Sequence, residues 1–509
     1  MTLKTYANIF PKTSLSQNIY SADQVRHVEP RAAALAGVSM YQLMERAGKA
    51  VVDVIRRHYP DLQQVLVLAG HGNNGGDAYV VARLLTEKGC QVDVCELGQI
   101  DKLSADANEA RQRWLKGRHQ IKKTEQILYR DYQLCVDGML GTGIKGAVRE
   151  PYQGVIQALN KQDIAVVSID VPSGIDSDTG TECGEAVAAD HTVTFVGVKA
   201  GLVTGLGKQL CGILHFSDLG IGEPFQRIAR PLGRTITFKQ LKPLPPKPKA
   251  AHKGDFGKLL CIGGNIGYAG AIRLTGEAAM RSGAGLVKVF CHEASKSILA
   301  SGRPELMIEY RSDYLQETLK WSQAIVIGPG LGQDIWSFSV LKQTLEHCLR
   351  YHKPVVIDAD ALNLMAEHRT LTVPQNLAVL TPHPGEAARL AKSDVSKVEQ
   401  NRYKTVSSLS AQYDAVTVLK GAGTLIASQD NIWVCGNGNP GMATAGMGDV
   451  LSGVLGALLA QKMSIRLSAI FGVCLHSHAA DLASQEYGQR GLLASDLFPY
   501  IRRLINNVA

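Results

Sequence analysis

None of the ten cysteines stands in a CxxC pair; Cys90, Cys95, Cys135, Cys183, Cys211, Cys261, Cys291, Cys348, Cys435 and Cys474 are scattered singly. A zinc ribbon or a disulfide framework needs clustered cysteines, so neither organises this chain, and a reducing compartment such as the cytoplasm is expected. The N-terminus lacks the apolar stretch of an export signal, and no apolar run reaches the roughly 18 residues of a membrane span. Basic patches are scarce as well. The formal net charge is +8, yet outside one short segment Lys and Arg alternate with Asp and Glu. That balance favours small phosphorylated ligands over nucleic acid. What is plentiful is length and glycine. At 509 residues two or more domains are expected, and 51 glycines exceed the usual share of about 7%, implying many tight turns between strands and helices.

One glycine-rich stretch near the C-terminus, Gly436-Asn-Gly-Asn-Pro-Gly-Met-Ala-Thr-Ala-Gly-Met-Gly-Asp-Val-Leu-Ser-Gly453, runs straight into the apolar Val454-Leu-Gly-Ala-Leu-Leu-Ala-Gln461. The layout puts Gly446 and Gly448 at the N-terminus of a helix, where free NH groups and the helix dipole favour an anion. Asp449 then falls in the first turn. A carboxylate beside a bound phosphate is repelled by it, so it serves proton transfer, holds a cation, or merely caps the helix.

In the first half, Ser21-Ala-Asp-Gln24 has the form of a helix cap and Met40 to Ile55 reads as an amphipathic helix. The run Gln64-Val-Leu-Val-Leu-Ala69 has strand length and leads into the loop Gly70-His-Gly-Asn-Asn-Gly-Gly-Asp77, then a helix to about Lys88. Strand, glycine loop and helix form half of a Rossmann-like unit, although a standard dinucleotide site is not expected from this loop. Two further strand-like runs end in Asp137-Gly-Met-Leu-Gly141-Thr-Gly143 and in Asp170-Val-Pro-Ser173-Gly174. In an open parallel sheet these ends share one rim, so Asn74, Asp137, Asp170 and Ser173 converge there as a hard-oxygen site for a cation that steadies an anionic ligand.

These three segments resemble the signatures of the NAD(P)H-hydrate epimerase family. The resemblance implies potassium held by Asn74, Asp137 and Ser173. It also implies a hydrate site lined by Asn73, Asn74, Gly75, Gly76, Asp77, Gly141, Thr142, Gly143, Ile144, Lys145, Gly146, Ala147 and Asp170, with Asp170 in proton transfer. Ala78 departs from the family's common glycine, at a position already inside the helix.

Beyond Gly222 the pattern changes. Leu241-Lys-Pro-Leu-Pro-Pro-Lys-Pro-Lys249 cannot sit in regular elements and reads as a connector, about residues 241–253, whose lysines are either solvated or a basic lip over a phosphate site. The domains are expected at 1–225 and 226–509. A second βα series follows, with strand-like runs ending in Gly263-Gly-Asn, Pro329-Gly-Leu-Gly332, Asp358-Ala-Asp-Ala-Leu-Asn363, Thr381-Pro-His-Pro-Gly-Glu386 and Lys420-Gly-Ala-Gly-Thr424. The last frees backbone NH groups beside a lysine, as a phosphate loop does, without Walker A spacing.

This set, with Gly446-Met-Gly-Asp449, is similar to the nucleotide-dependent NAD(P)H-hydrate dehydratase domain of ribokinase-like fold. It implies nucleotide contacts at Lys420, Gly421, Ala422, Gly423, Thr424 and Gly448, and hydrate contacts at Ala271, Gly330, His383 and Asp449. The expected architecture is therefore α/β with two doubly wound domains, an N-terminal Rossmann-like three-layer sandwich and a C-terminal ribokinase-like domain. Together the halves resemble the bifunctional NAD(P)H-hydrate repair enzymes. The resemblance implies NADH hydrate and NADPH hydrate as substrates, K+ at the epimerase site, Mg2+ at the dehydratase site, and ADP (alternatively ATP) as phosphoryl donor. Asp449 would be the base that activates the hydrate hydroxyl. Neither nucleic acid nor membrane is an expected partner, and small α/β units of this kind commonly form homo-oligomers. Two other readings stay open: a vitamin or sugar kinase fused to a regulatory domain, and a first half that only senses or scaffolds a dinucleotide.

Overall fold

The computed structural model describes residues 17–508 apart from 118, 145 and 430. Two compact units divide between Arg234 and Thr235, later than the expected boundary after residue 225. The connector therefore lies within the second unit. Its residues 242–248, which include four prolines, form no regular element, and Lys247 lies over the Phe256 ring, ahead of the strand that starts at Lys258.

Seven parallel strands build the first unit: β1 (Gln64–Ala69), β2 (Gln91–Glu96), β3 (Ile121–Lys122), β4 (Leu134–Gly138), β5 (Ala165–Ile169), β6 (His191–Phe195) and β7 (Ile213–Ser217), in the order β3-β2-β1-β4-β5-β6-β7. Strands buried on both faces read as continuous apolar runs, as β1 does. Along it Val65, Val67 and Ala69 pack with helices α1 (Met40–His58), α2 (Asn73–Glu87) and α3 (Ala105–Lys116), while Leu66 and Leu68 pack with α4 (Tyr152–Leu159) on the other side. This is the expected three-layer sandwich. Ser21 and Ser39 each cap a helix, reciprocated by Gln24 and Gln42. Helix α1 buries Leu43, Met44, Ala47, Val51, Val52 and Ile55, the helical spacing of its apolar residues. The strand order reverses between β1 and β4, and crevices in such sheets open at that switch.

The second unit repeats the principle. Nine consecutive strands of its sheet, β8 (Lys258–Ile262), β9 (Leu286–Phe290), β10 (Met307–Glu309), β11 (Ala324–Ile327), β12 (Val355–Ile357), β13 (Ala378–Leu380), β14 (Val416–Leu419), β15 (Leu425–Ser428) and β16 (Asn431–Cys435), lie in the order β10-β9-β8-β11-β12-β13-β14-β15-β16. The strands from β10 to β14 in that row are parallel and the two after them antiparallel. The switch falls between β8 and β11. Helices α5 (Ala269–Arg281), α6 (Ala359–Glu367), α7 (Pro384–Leu390), α8 (Arg402–Tyr413), α9 (Met447–Ala460) and α10 (Ile465–Tyr487) belong to the same unit.

Helix α9 is apolar on every side because every side is covered; all residues from Val450 to Ala460 are buried. Gly456 lets it approach β11, where a Cβ would lie 2.3 Å from Val326 Cγ2. At Gly453 a Cβ would lie 2.1 Å from the Thr275 carbonyl oxygen of α5. Among the described residues no helix is long and apolar enough to cross a membrane, and all ten cysteines are free thiols.

The packing of α9 yields a test. Gly453→Val should force α9 and α5 apart and cost roughly 2–3 kcal/mol, read as a lower urea midpoint at unchanged slope. An unchanged midpoint would mean that the two helices do not meet there.

Candidate functional site

The first unit gathers its polar residues at the switch between β1 and β4. Asp137, in β4, is fully buried. Its carboxylate accepts hydrogen bonds from Ser173 Oγ (2.5 Å), Ser173 N (2.8 Å), Ser168 Oγ (2.8 Å) and Met139 N (3.2 Å). Burial pushes its carboxyl up, and these donors oppose the shift. Leu140 links the neighbours: its NH donates to Ser173 Oγ (2.8 Å) and its carbonyl accepts from Asn74 Nδ2 (3.1 Å). Asn74, Asp137 and Ser173 are thus together as expected.

Their donors are hard oxygens, and among the described residues no Lys or Arg forms an ion pair with Asp137. A buried carboxylate without a counter-charge, among amide, hydroxyl and carbonyl oxygens, offers the donors that a hard cation takes.

Two details of the sequence reading change. The segment 73–77 is not loop but the first turns of α2, with Gly72 as N-cap. Moreover, Gly70-x-Gly72-x-x-Gly75 does carry the glycine spacing of the dinucleotide fingerprint, so the ground for expecting no standard dinucleotide site here, that the GxGxxG pattern is absent, was wrong. The structure shows what the glycines permit: a Cβ on Gly70 would lie 1.7 Å from the Met139 carbonyl oxygen, and one on Gly75 1.9 Å from that of Gly70. Gly76 packs instead against Met44 of α1. Asn73 Oδ1 accepts from Ser104 Oγ (2.6 Å). Gly141 lies against Asn74, the Thr142 carbonyl accepts from Arg26 (3.2 Å), and Gly143, Ile144, Gly146 and Ala147 form a partly to fully exposed rim. Lys145 lies outside the described residues.

Asp170 follows β5 in a left-handed conformation (φ 62°), strained for a residue with a Cβ and over-determined by its partners. It pairs with Lys199 and accepts from Thr194 Oγ1 (3.1 Å) and Phe195 N (3.2 Å). Lys199 is buried and also donates to the Phe195 carbonyl (2.9 Å). Nearby, Asp77 is pushed well above the usual carboxylate range, first by burial, then by the charges of Asp170 and Glu29, with Lys199 opposing. Lys199 and Glu29 escaped the sequence reading. The available signal for Lys199 was a lysine just beyond the apolar run Thr192-Val-Thr-Phe-Val196.

In the second unit the site forms around the N-terminus of α9. Gly446, at φ +87°, is the N-cap, and no side chain caps the helix. Asp449 therefore stands in the first turn and is not the cap, which removes the bland alternative. A Cβ on Gly448 would lie 3.3 Å from Lys420 Nζ and 3.7 Å from Asp358 Oδ2, so the helix start opens directly onto that pair. Lys420, after β14, lies 2.9 Å from Asp358 Oδ1 and 3.6 Å from Glu386 Oε2. Asp358 Oδ2 accepts from Ser452 Oγ of α9 (2.8 Å). Asp449 is raised to about 7, mainly by burial, next by the Asp358 charge, with Lys420 opposing. A carboxylate so placed ionises near neutral pH, the range a general base needs.

Around this centre the remaining expected residues take their places. Gly421 (φ +135°) sits against buried Arg402, whose Nη2 donates to the Lys420 carbonyl (3.0 Å). Thr424 Oγ1 donates to the Gly421 carbonyl (3.1 Å), while Gly421 and Ala422 are exposed and Gly423 is buried. At the β8/β11 switch Gly330 (φ +58°) meets Ala271, 3.2 Å from the position a Cβ would take. Asp360 holds the same loop by accepting from Gly332 N (2.9 Å).

His383 is the N-cap of α7. Its Nδ1 accepts from Gly385 N (3.0 Å), which leaves Nε2 to face Glu386 Oε1 at 3.3 Å. Burial and the charges of Lys420 and Arg389 hold its imidazole below the ordinary value. Arg402 was missed, as was Asp481, which accepts from Gly438 N (3.0 Å), Asn437 Nδ2 (3.1 Å) and Asn439 Nδ2 (3.0 Å) and so anchors the glycine stretch. Neither carries a local motif; each is joined to its loop only by the fold.

Asp449 should also reveal itself in stability. Between about pH 4, where an unfolded Asp ionises, and about 7, the folded chain holds the extra proton, so stability falls as pH rises through that window. Asp449→Asn should therefore be more stable than the parent at pH 8, by roughly 1–3 kcal/mol, and lose that advantage towards pH 4. Equal midpoints at pH 8 would place the Asp449 carboxyl at an ordinary pKa.

Residues 40–201 match the family model described as YjeF-related protein N-terminus, and residues 259–503 the one described as NAD(P)H-hydrate dehydratase. The chain is 42% identical to the bifunctional NAD(P)H-hydrate repair enzyme Nnr of Escherichia coli (strain K12), over 97% of this chain and 95% of that protein. It is also 42% identical to the protein of the same name from Coxiella burnetii, over 96% and 99%. Among solved structures it is similar to the ADP/ATP-dependent NAD(P)H-hydrate dehydratase from Bacillus subtilis co-crystallised with ATP/Mg2+. There the identity is 31%, over 52% of this chain and 95% of that one, with a TM-score of 0.47.

Proposed function

The chain belongs to the bifunctional NAD(P)H-hydrate repair enzyme family, and from that premise we propose that it restores hydrated nicotinamide cofactors in two steps, one in each unit. In the hydrate, water has added across the 5,6 double bond of the nicotinamide ring, leaving a hydroxyl on C6 beside the ring nitrogen. The first unit interconverts the R and S epimers. The second dehydrates the S epimer with ADP, giving NAD(P)H, AMP and phosphate.

The observation that carries the second step is Asp449, with a pKa of about 7, in an uncapped first helical turn beside Lys420. Asp449 takes the proton of the C6 hydroxyl as its oxygen attacks the terminal phosphorus of ADP, and AMP departs. Lys420 and the NH groups at the start of α9 hold the transferring phosphoryl group, with residues 421–424 and Gly448 against the nucleotide. Phosphate then leaves C6, drawn out by the ring-nitrogen lone pair, and loss of the C5 proton restores the double bond. Ala271, Gly330 and His383 contact the hydrate. Glu386 would suit Mg2+, which binds through one or two carboxylates plus phosphates and would neutralise the developing charge.

For the first step, Asp170 is the acid–base group and Lys199 its counter-charge, while hydroxide leaves C6 and water returns on the other face. Residues 73–77 and 141–147 line this hydrate site, and Asn74, Asp137 and Ser173 would hold K+ to steady the anionic dinucleotide. The same reading includes self-assembly of the chain and residence in the cytoplasm.

An assay with both C6 epimers of NADPH hydrate plus ADP, followed by nicotinamide absorbance, tests the pairing. The parent should convert everything, at a rate that falls below about pH 7 as Asp449 gains its proton. Asp449→Asn should still interconvert the epimers but regenerate no cofactor. Conversion of half or none by the parent, or accumulation of a phosphorylated product, would overturn the proposal.

A further inference from the structure

Three histidines meet in the first unit at the end of the sheet opposite the epimerase residues. His58 closes the last turn of α1, His191 is the first residue of β6, and His215 lies in β7, whose register places it beside Val193. His191 Nδ1 and His215 Nε2 are 3.0 Å apart. The His58 ring centroid is 4.3 Å from that of His191 and 5.2 Å from that of His215. One ring nitrogen from each of the three falls within 4.8 Å of the others. His191 is buried, His215 half-buried and His58 exposed, so the group has a fixed floor and one adjustable, solvent-facing member.

We propose that this cluster is a binding site for a divalent transition metal of the zinc class. Two nitrogens bound to one metal at about 2.0–2.1 Å stand roughly 2.9–3.4 Å apart across octahedral to tetrahedral angles, so the His191–His215 pair is already spaced as cis ligands. The exposed His58, already within 4.8 Å of both, has to approach by about 1.5 Å to become the third. Imidazole nitrogens select Zn2+, Co2+, Ni2+ or Cu2+ and discriminate against Mg2+ and Ca2+, which take oxygen. The two facing nitrogens share one proton in a hydrogen bond, and a tautomer change in the donor ring turns both of them into lone pairs for a metal. Arg57 beside His215 and Asp190 beside His191 offset one another in charge. Three protein ligands leave a fourth position for water.

The site lies away from the epimerase chemistry. His191 starts the strand whose last residue, Phe195, holds Asp170, and four residues of strand span about 13 Å. Metal here would stitch the C-terminal turn of α1 to β6 and β7, raising stability without entering the reaction.

The full-length protein, stripped with chelator, should take up one equivalent of Co2+ with the intense visible bands of a tetrahedral site, and Zn2+ should displace it. Zn2+ should raise Tm by several degrees. His58→Ala, which changes an exposed side chain, should weaken Zn2+ binding at least tenfold, abolish the Tm rise and leave epimerisation and dehydration rates unchanged; His215→Asn should do the same. Absence of a stoichiometric cobalt spectrum, or one that survives both substitutions, would overturn the proposal and leave the three rings as an aromatic packing cluster.

Discussion

In each unit one lysine supplies the positive charge for several carboxylates at the C-terminal edge of a parallel sheet. Lys199 pairs with Asp170 near Asp77 and Glu29, and Lys420 pairs with Asp358 and Glu386 near Asp449. A single cation cannot offset the burial of every acid around it, so carboxyls are pushed upward in both units: Asp77 and Glu29 in one, Asp449 and, despite its contact with Lys420, Glu386 in the other. A carboxyl raised in this way holds a proton that acid–base chemistry near neutral pH can use. The same imbalance favours a bound phosphate less than a pure cationic pocket would. That is why the uncapped start of α9 matters, since its NH groups add positive potential without another side chain.

The placement of these groups follows from strand order. Both sheets reverse direction of growth once, between β1 and β4 and between β8 and β11, and loops at a reversal splay apart. Asn74 and Asp137 flank the first reversal; Ala271 and Gly330 flank the second. Glycine then decides how closely the loops approach. Gly70 and Gly75 let α2 start against the Met139 loop, and Gly448 leaves open the space that faces Lys420.

Much of this was legible in the sequence because strand-end motifs are local. Asn73 to Asp77, Asp137, Asp170 and the 420–424 and 446–449 segments were each found from a short run of residues, and the structure sets each at the expected edge. Two kinds of feature were not. The start of α2 at Asn73 was hidden because glycine and asparagine make a first turn look like loop, although the Gly76 NH already donates to the Gly72 carbonyl. Lys199, Arg402, Ser452 and Asp481 act across long separations in the chain, and their partners are set by topology alone. The histidine cluster belongs with them, its members coming from three unconnected elements.

Two independent sites in one chain are proposed to act in series on one substrate. Complementation between Asp170→Asn and Asp449→Asn measures it directly, with both C6 epimers of NADPH hydrate and ADP present and the fast phase followed by absorbance. The first variant alone should recover half of the cofactor, the second alone none, and an equimolar mixture all of it. A mixture that stops at half, or an Asp170 variant that converts everything as fast as the parent, would contradict it.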